Sequence, residues 1–141
     1  MSRAAVNAES QPRSATLHCT AIGKLLLAHM AEDVRRRLLI ATGMPRYAKN
    51  TVTSERELER HLAKIRECGY SISNGEYGIG LIAVAVPIRS PLERVVGGLA
   101  LHAPEARRNL ARAAKMIPQL DAAARKLTQL VLAPEIPDIR S

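Results

Sequence analysis

The stretch 80–102 constrains the fold more than any other part of this sequence. Two apolar runs, 81–88 and 95–101, flank a short polar break that contains Ser90-Pro91, a dipeptide typical of turns. Each run has the length of a β-strand and is rich in Val, Ile, Leu and Ala. We therefore predict a β-hairpin around which the rest of the chain packs.

Both runs are almost continuously apolar, so the hairpin is expected to be covered on both faces or to line a ligand cavity with one of them. Small residues leave room for a helix on one side or a pocket on the other. The small residues are Ala83, Ala85, Gly97, Gly98 and Ala100. The helical spacing after the hairpin is interrupted by Pro118, where we predict a kink or a break.

Helix signals precede the hairpin. Thr20 is a candidate N-cap for an apolar helix that follows it. A second helix is predicted over 31–41, with Gly43 as its stop signal. The predicted apolar face of this second helix consists of Val34, Leu38 and Leu39.

A third helix and a short strand are predicted next. Ser54 and Glu57 have the spacing of a capping box, and Gly69 is the stop signal of that helix. The alternating segment 70–73 predicts a strand. Glu76, which follows it, is either the buried partner of a donor or an exposed side chain, and exposure is the expectation here.

Composition excludes several classes of protein. The 141 residues favour one domain, and the absence of Phe and Trp argues against an aromatic platform for single-stranded nucleic acid. The net charge of +8 allows a basic nucleic-acid-binding module that uses Arg35–Arg37 and Arg107–Arg108, although solvated helix faces explain the charge more simply. The chain lacks a run of 18 apolar residues, so we expect neither a membrane span nor export.

The sequence contains no conventional catalytic or metal-binding pattern. Cys19 and Cys68 fit neither a metal spacing nor a disulfide framework, and a reducing cytoplasm is the expected compartment. A nucleophilic pair of His18 and Cys19 is conceivable, but adjacent side chains rarely face each other. We therefore expect no enzyme, no metal and no cofactor. The amides of Ala21–Gly23 begin a helix, where unpaired donors attract anions, although on this stretch alone an ordinary capped helix without a ligand is the simpler explanation.

Several motifs in a fixed order resemble the IclR family of bacterial transcription regulators. Residues 18–28, HCTAIGKLLLA, are similar to the family segment H-x-[ST]-[AG]-x-G-K-A-x-L-A. The segments 46–53, 65–70 and 76–80 resemble the motifs that follow it, and the resemblance spans 17–131. Each motif alone is weak, but their order and spacing together are specific.

The resemblance implies a two-part regulator with a winged helix-turn-helix and a GAF-like, profilin-like α+β domain that senses a small molecule. This chain is expected to hold only a partial effector-binding domain over 17–132, with a tail or weak edge strand at 1–16 and a tail at 133–141. DNA would be bound only through a separate helix-turn-helix domain. An incomplete sheet would expose an edge, so homo-oligomers are expected.

The resemblance also implies a ligand pocket. In family members that bind small oxo-acids, backbone amides meet the ligand carboxylate, and an acidic residue, a cysteine and two small polar residues line the pocket. The corresponding positions here are Ala21 and Ile22, with Gly23 beside them, and then Ser73, Ala83, Ala100 and His102. Loss of polar lining implies an organic acid more apolar than glyoxylate or pyruvate. His102 either contacts that ligand or is an exposed residue at a strand end.

Overall fold

The structure, a computed structural model, describes residues 16–104 and 110–132, with the backbone alone at 131 and 132. These residues form an α+β domain in which three antiparallel strands are flanked by helices. The elements are α1 (Ala21–Ala28), α2 (Glu32–Thr42), α3 (Glu55–Cys68), β1 (Ser71–Asn74), β2 (Leu81–Arg89), β3 (Val95–Pro104), α4 (Leu110–Ala114) and α5 (Ile117–Leu127), followed by a π-helical turn (Thr128–Leu132). The predicted tails at 1–16 and 133–141 lie outside the described residues, apart from Thr16. Arg107 and Arg108 also lie outside them.

The predicted hairpin is confirmed. β2 pairs with β3 in antiparallel register, β1 pairs with the other edge of β2, and the strand order is β1-β2-β3. The hairpin turn is closed by the amide of Ser90, which donates to the carbonyl of Arg94 at 2.8 Å. Glu93 completes the turn with a φ of 63°, and the register shifts between Ile88 and Arg89. The hairpin turn therefore lies at the end of the sheet away from Ala83 and His102.

The two faces of the sheet differ in side-chain size. One face carries the small residues Ala83, Ala85 and Ala100, which belong to the same buried cluster as Leu25 of α1. A Cβ placed on Gly98 would lie 3.0 Å from the Leu25 side chain, so the helix packs against nearly bare backbone there. The opposite face carries large residues that pack against α4 and α5. They are Ile82, Val84, Val86 and Leu101.

Local signals fix the ends of the helices as predicted. The Thr20 hydroxyl accepts from the amide of Gly23, and the Ser54 hydroxyl accepts from the amide of Glu57. α3 ends at Gly69, which adopts the left-handed conformation with a φ of 84°. The break predicted at Pro118 lies between α4 and α5, and the proline occupies the first turn of α5, where a missing N–H costs nothing.

The predicted apolar face of α2 is wrong in one respect. Val34 is 42% exposed, whereas Arg35 is buried and Leu39 packs in the core. Arg35 donates to the carbonyl of Met30 and to both carboxylate oxygens of Glu59. Because these partners satisfy the hydrogen bonds of the guanidinium, the aliphatic stem of Arg35 can be buried. Arg35 therefore lies on the buried face of α2, where helical periodicity predicted Val34. Across the described residues, no helix is both long enough and apolar enough to span a bilayer.

Candidate functional site

The predicted pocket positions on the strands share one face of the sheet. Ser73, Ala83 and His102 form one row across β1, β2 and β3. Ala100 lies in a neighbouring row opposite Ala85. Residues paired across antiparallel strands point to the same side, and this is the side that α1 covers. The structure therefore brings the four strand positions together beneath α1.

The first turn of α1 offers fewer amide donors than predicted. The Gly23 amide donates to the Thr20 hydroxyl at 3.1 Å, so its assignment as an unpaired donor is wrong. The Thr20 side chain takes this amide because an N-cap oxygen reaches the third helical residue. Within the described residues, the amides of Ala21 and Ile22 have no hydrogen-bond acceptor. Two amides thus remain for an anion.

The space between α1 and the sheet is tightly packed. Ala21, Ala83 and Ala100 are buried together. The Ser73 hydroxyl donates to the carbonyl of Cys19 at 3.1 Å, which ties β1 to the segment before α1. His102 is exposed at its end of the row, and partial desolvation lowers its pKa. Two amide donors therefore lie beside alanine methyl groups that α1 covers, so an acid with an apolar body would reach these groups only after α1 shifts away from the sheet.

A buried ion pair lies beside this region, and sequence reasoning missed it. Lys24 and Glu76 are both buried, and the lysine Nζ lies 2.9 Å from each carboxylate oxygen. Lys24 Nζ donates a hydrogen bond to Oε2 of Glu76. Oε1 accepts no hydrogen bond and interacts with the ammonium only through its charge. The expectation that Glu76 is exposed is therefore wrong. Its carboxylate is held inside because Lys24 projects from α1 towards the loop after β1.

The ion pair covers the outer edge of β1. Lys24 Nζ donates to the carbonyl of Ile72 at 2.7 Å, and Glu76 Oε2 accepts from the amide of Asn74 at 3.3 Å. The Asn50 side chain donates to the carbonyl of Asn74, and the Thr51 hydroxyl donates to the carbonyl of Glu76. Side chains thereby satisfy the backbone groups that an edge strand leaves unpaired.

His61 of α3 completes this cluster. Its Nδ1 lies 3.1 Å from Lys24 Nζ, so it accepts the third hydrogen of the ammonium, and its proton is therefore on Nε2. Burial lowers the pKa of His61, and the positive charge of Lys24 lowers it further. Burial also lowers the pKa of Lys24, and the attraction of Glu76 opposes this only in part. The lone charge in the helix sequence AIGKLLLA is the signal that could have revealed a buried partner.

Comparisons with known proteins identify the fold and the family. A profile described as "Bacterial transcriptional regulator IclR C-terminal" matches residues 5–129. The chain belongs to the IclR family. The family is one of transcriptional regulators and not of enzymes, as the sequence predicts.

Three relatives show how far the similarity extends. This IclR domain is 34% identical over 113 residues to the probable transcriptional regulator SauR of Cupriavidus necator, covering 80% of this chain and 45% of SauR. The inducer-binding domain of a PobR double mutant from Acinetobacter, solved with 3-hydroxybenzoic acid, superposes with a TM-score of 0.78 at 27% identity, covering 82% of this chain and 66% of that one. The C-terminal domain of KdgR from E. coli gives a TM-score of 0.73 at 34% identity, covering 80% and 69%. The IclR chain thus spans under half the length of SauR.

The arginine run of the IclR domain makes intramolecular ion pairs. Arg36 pairs with Glu32 at 3.1 Å and Arg37 pairs with Asp33 at 3.7 Å, each one helical turn away. Arg35 is buried against Glu59. These partners reduce the positive charge that the run could offer to phosphates, so this described part of the proposed basic patch gives no support to the nucleic-acid alternative.

His18 and Cys19 do not form a nucleophilic pair in the IclR domain. The Cys19 thiol donates to the carbonyl of Thr16, while His18 Nε2 contacts the carbonyl of Pro45 at 2.8 Å. Burial raises the pKa of Cys19 to about 11, so its thiol stays protonated at neutral pH. Within residues 16–104 and 110–132, no cluster of three His, Cys, Asp or Glu side chains could hold a metal ion.

This burial predicts different reactivities for the two thiols. With a thiol-reactive chromogenic disulfide at pH 8, we expect exposed Cys68 to react fast and Cys19 to react only on unfolding. The absorbance change should correspond to one thiol in the native chain and two in denaturant. The Cys68→Ser variant should give no fast phase, and a fast phase that persists in that variant would show that Cys19 is accessible.

Proposed function

We propose that this IclR domain senses a small organic acid that is more apolar than glyoxylate or pyruvate. The observation that carries the proposal is the juxtaposition of two unpartnered amides, at Ala21 and Ile22, with an alanine-rich sheet face beneath the same helix. Carboxylates bind at helix N-termini because the amides and the helix dipole both favour negative charge. The PobR domain that was solved with an aromatic hydroxy acid shares this fold and supports the same class of ligand.

Side-chain polarity supports an apolar ligand body. Ala83 and Ala100 offer methyl groups at positions where the family resemblance implies polar contacts. The Ser73 hydroxyl already donates to the carbonyl of Cys19, and His102 lies at the exposed end of its row. A ligand with several hydroxyl or keto groups would leave those groups unpaired here, which costs affinity. An aromatic or aliphatic monocarboxylic acid would not.

The proposed mechanism is a shift between populations and involves no chemical step. A ligand on α1 and the sheet would stabilise the arrangement of α1 that binds it and would change how the chain associates with further copies. We infer that the chain acts as a homo-oligomer in the cytoplasm and reaches DNA only through a separate helix-turn-helix domain. The unpaired side of β3, at one edge of the described sheet, offers a surface for such association.

A proline at position 21 tests the amide contact directly. Ala21 is the first helical residue, where proline fits, and Thr20 has the extended backbone (φ −114°, ψ 153°) that must precede a proline. Ala21→Pro removes one N–H but no intrahelical hydrogen bond. We expect titration of the ¹⁵N-labelled chain with 3-hydroxybenzoate, benzoate and hexanoate to find a hit with saturable amide shifts at Ile22, Ala83 and Ala100. Ala21→Pro should raise the dissociation constant measured at these positions by about ten-fold or more.

Glu55→Pro is the matched control. Glu55 is the first residue of α3, and Ser54 before it is also extended (φ −116°, ψ 134°). This variant should keep the affinity of the hit unchanged. The proposal predicts weaker binding of glyoxylate and pyruvate than of the hit. An equal affinity for glyoxylate at Ile22, Ala83 and Ala100, or a hit whose binding at these positions is unaffected by Ala21→Pro, would contradict it.

A further inference from the structure

A cleft that is separate from the sheet face beneath α1 opens at the outer edge of β1. Its volume is about 500 Å³, and it lies between α3 and the first residue of α4. Ile65, Ile72 and Leu110 supply apolar walls. A cleft of this size with apolar walls can enclose much of a small molecule.

The mouth of this cleft is positively charged. Arg60 and Lys64, one turn apart on α3, are both exposed and line it. The charge of Lys24 at its base is balanced by Glu76, at 2.9 Å. Among the described residues that line this cleft, Glu76 is the one acidic side chain and it is paired with Lys24, so the field of the two rim cations favours an anion.

His61, which also lines the cleft, carries a hydrogen-bond donor. His61 accepts from Lys24 through Nδ1, so its Nε2 carries the proton and can donate. Lys24, Glu57, Arg60 and Glu76 are the charged groups that act on this ring. Burial and Lys24 keep the pKa of His61 below its ordinary value, so the neutral donor persists at neutral pH.

We propose that this cleft is a second ligand site, for a small amphipathic monocarboxylate with an aromatic or branched aliphatic body. The body would lie against Ile65, Ile72 and Leu110. The carboxylate would accept from His61 Nε2 and lie near the rim cations. The cleft touches α1 through Lys24, three residues after Ala21, so the same helix contacts both sites. The inference does not depend on the proposed function of the sheet face.

Benzoate is the probe, and benzamide is its neutral isostere. Titration of the full ¹⁵N-labelled chain with benzoate should produce saturable amide shifts at His61, Ile65 and Ile72 with a dissociation constant of about 1 mM or below. Benzamide should bind at least five-fold more weakly. The variant Arg60→Gln/Lys64→Gln should weaken benzoate binding by roughly five-fold, because two exposed cations are removed.

Two further variants separate this site from its alternatives. Arg36→Gln/Arg37→Gln removes the same charge from α2 and should leave the cleft titration unchanged. Ala21→Pro should also leave the cleft titration unchanged, because α1 contributes Lys24 to the cleft and not the amide of Ala21. Equal binding of benzamide, absence of saturable shifts in the cleft, or loss of those shifts in Ala21→Pro would each overturn the inference.

Discussion

Replacing Lys24 with methionine is expected to lower the free energy of unfolding by about 3–5 kcal/mol. Methionine keeps most of the buried stem but removes the ammonium. The Glu76 carboxylate then stays buried without a counter-charge, and the carbonyl of Ile72 loses its donor at 2.7 Å. Breaking one side of a buried pair is costly because the remaining charge cannot reach water.

Chemical denaturation at neutral pH measures this loss. Arg36→Met is the matched control, because Arg36 and Glu32 form an ion pair with exposed fractions of 68% and 66%, and its loss should cost less than about 1 kcal/mol. Adding Glu76→Gln to Lys24→Met should restore part of the stability, since it removes the unpaired charge. A Lys24→Met variant no less stable than Arg36→Met would show that the pair is not buried in solution.

The contribution of the intact Lys24–Glu76 pair to the free energy of unfolding differs from the cost of breaking it. Burial lowers the pKa of Lys24 despite the attraction of Glu76, so the folded state disfavours its charged form relative to water. The pair therefore contributes less stability than its disruption costs, as is usual for buried ion pairs. Its specific effect is positional: it holds α1, α3 and the edge of β1 in one arrangement.

Structural features that depend only on neighbouring residues were predictable from the sequence. The two apolar runs of the hairpin, the caps at Thr20 and Ser54, and the stop at Gly69 each depend on neighbours within a few residues. The Lys24–Glu76 pair joins residues 52 apart, and nothing near Glu76 indicates its partner. The burial of Arg35 depends on Glu59, which is 24 residues away. Local patterns therefore fixed the elements but not the polar contacts between them.

For the candidate site, too, the sequence indicated which residues share a region but not which hydrogen bonds they make. The family resemblance assigns Ser73, Ala83 and His102 to a ligand pocket, which stays a prediction, and the strand register brings these residues into one row. Resemblance could not say which amides of the first turn are free. The cap takes the Gly23 amide, so this glycine needs an explanation other than anion binding.

Replacing Gly23 with alanine is expected to destabilise the fold by about 2–3 kcal/mol. A Cβ at this position would lie 2.5 Å from the Cα and the carbonyl oxygen of Leu17 and from the Thr20 hydroxyl. Two of these three atoms are backbone and cannot move alone. Helix propensity acts in the opposite direction, because alanine is favoured over glycine by about 1 kcal/mol in a helix. A net loss would therefore show that the contact outweighs propensity.

Gly97→Ala is the control, because a Cβ there has no atom within 4 Å and the residue lies in β3. It should be neutral or stabilising by about 0.5 kcal/mol. If Gly23→Ala and Gly97→Ala have the same stability in thermal and chemical unfolding, the segment from Leu17 to Thr20 does not pack on α1 as described. If the loss is observed, the glycine of the HCTAIGK segment is explained by close backbone packing. That packing positions the Thr20 cap, which takes the Gly23 amide and leaves Ala21 and Ile22 as the amides that we propose for ligand binding.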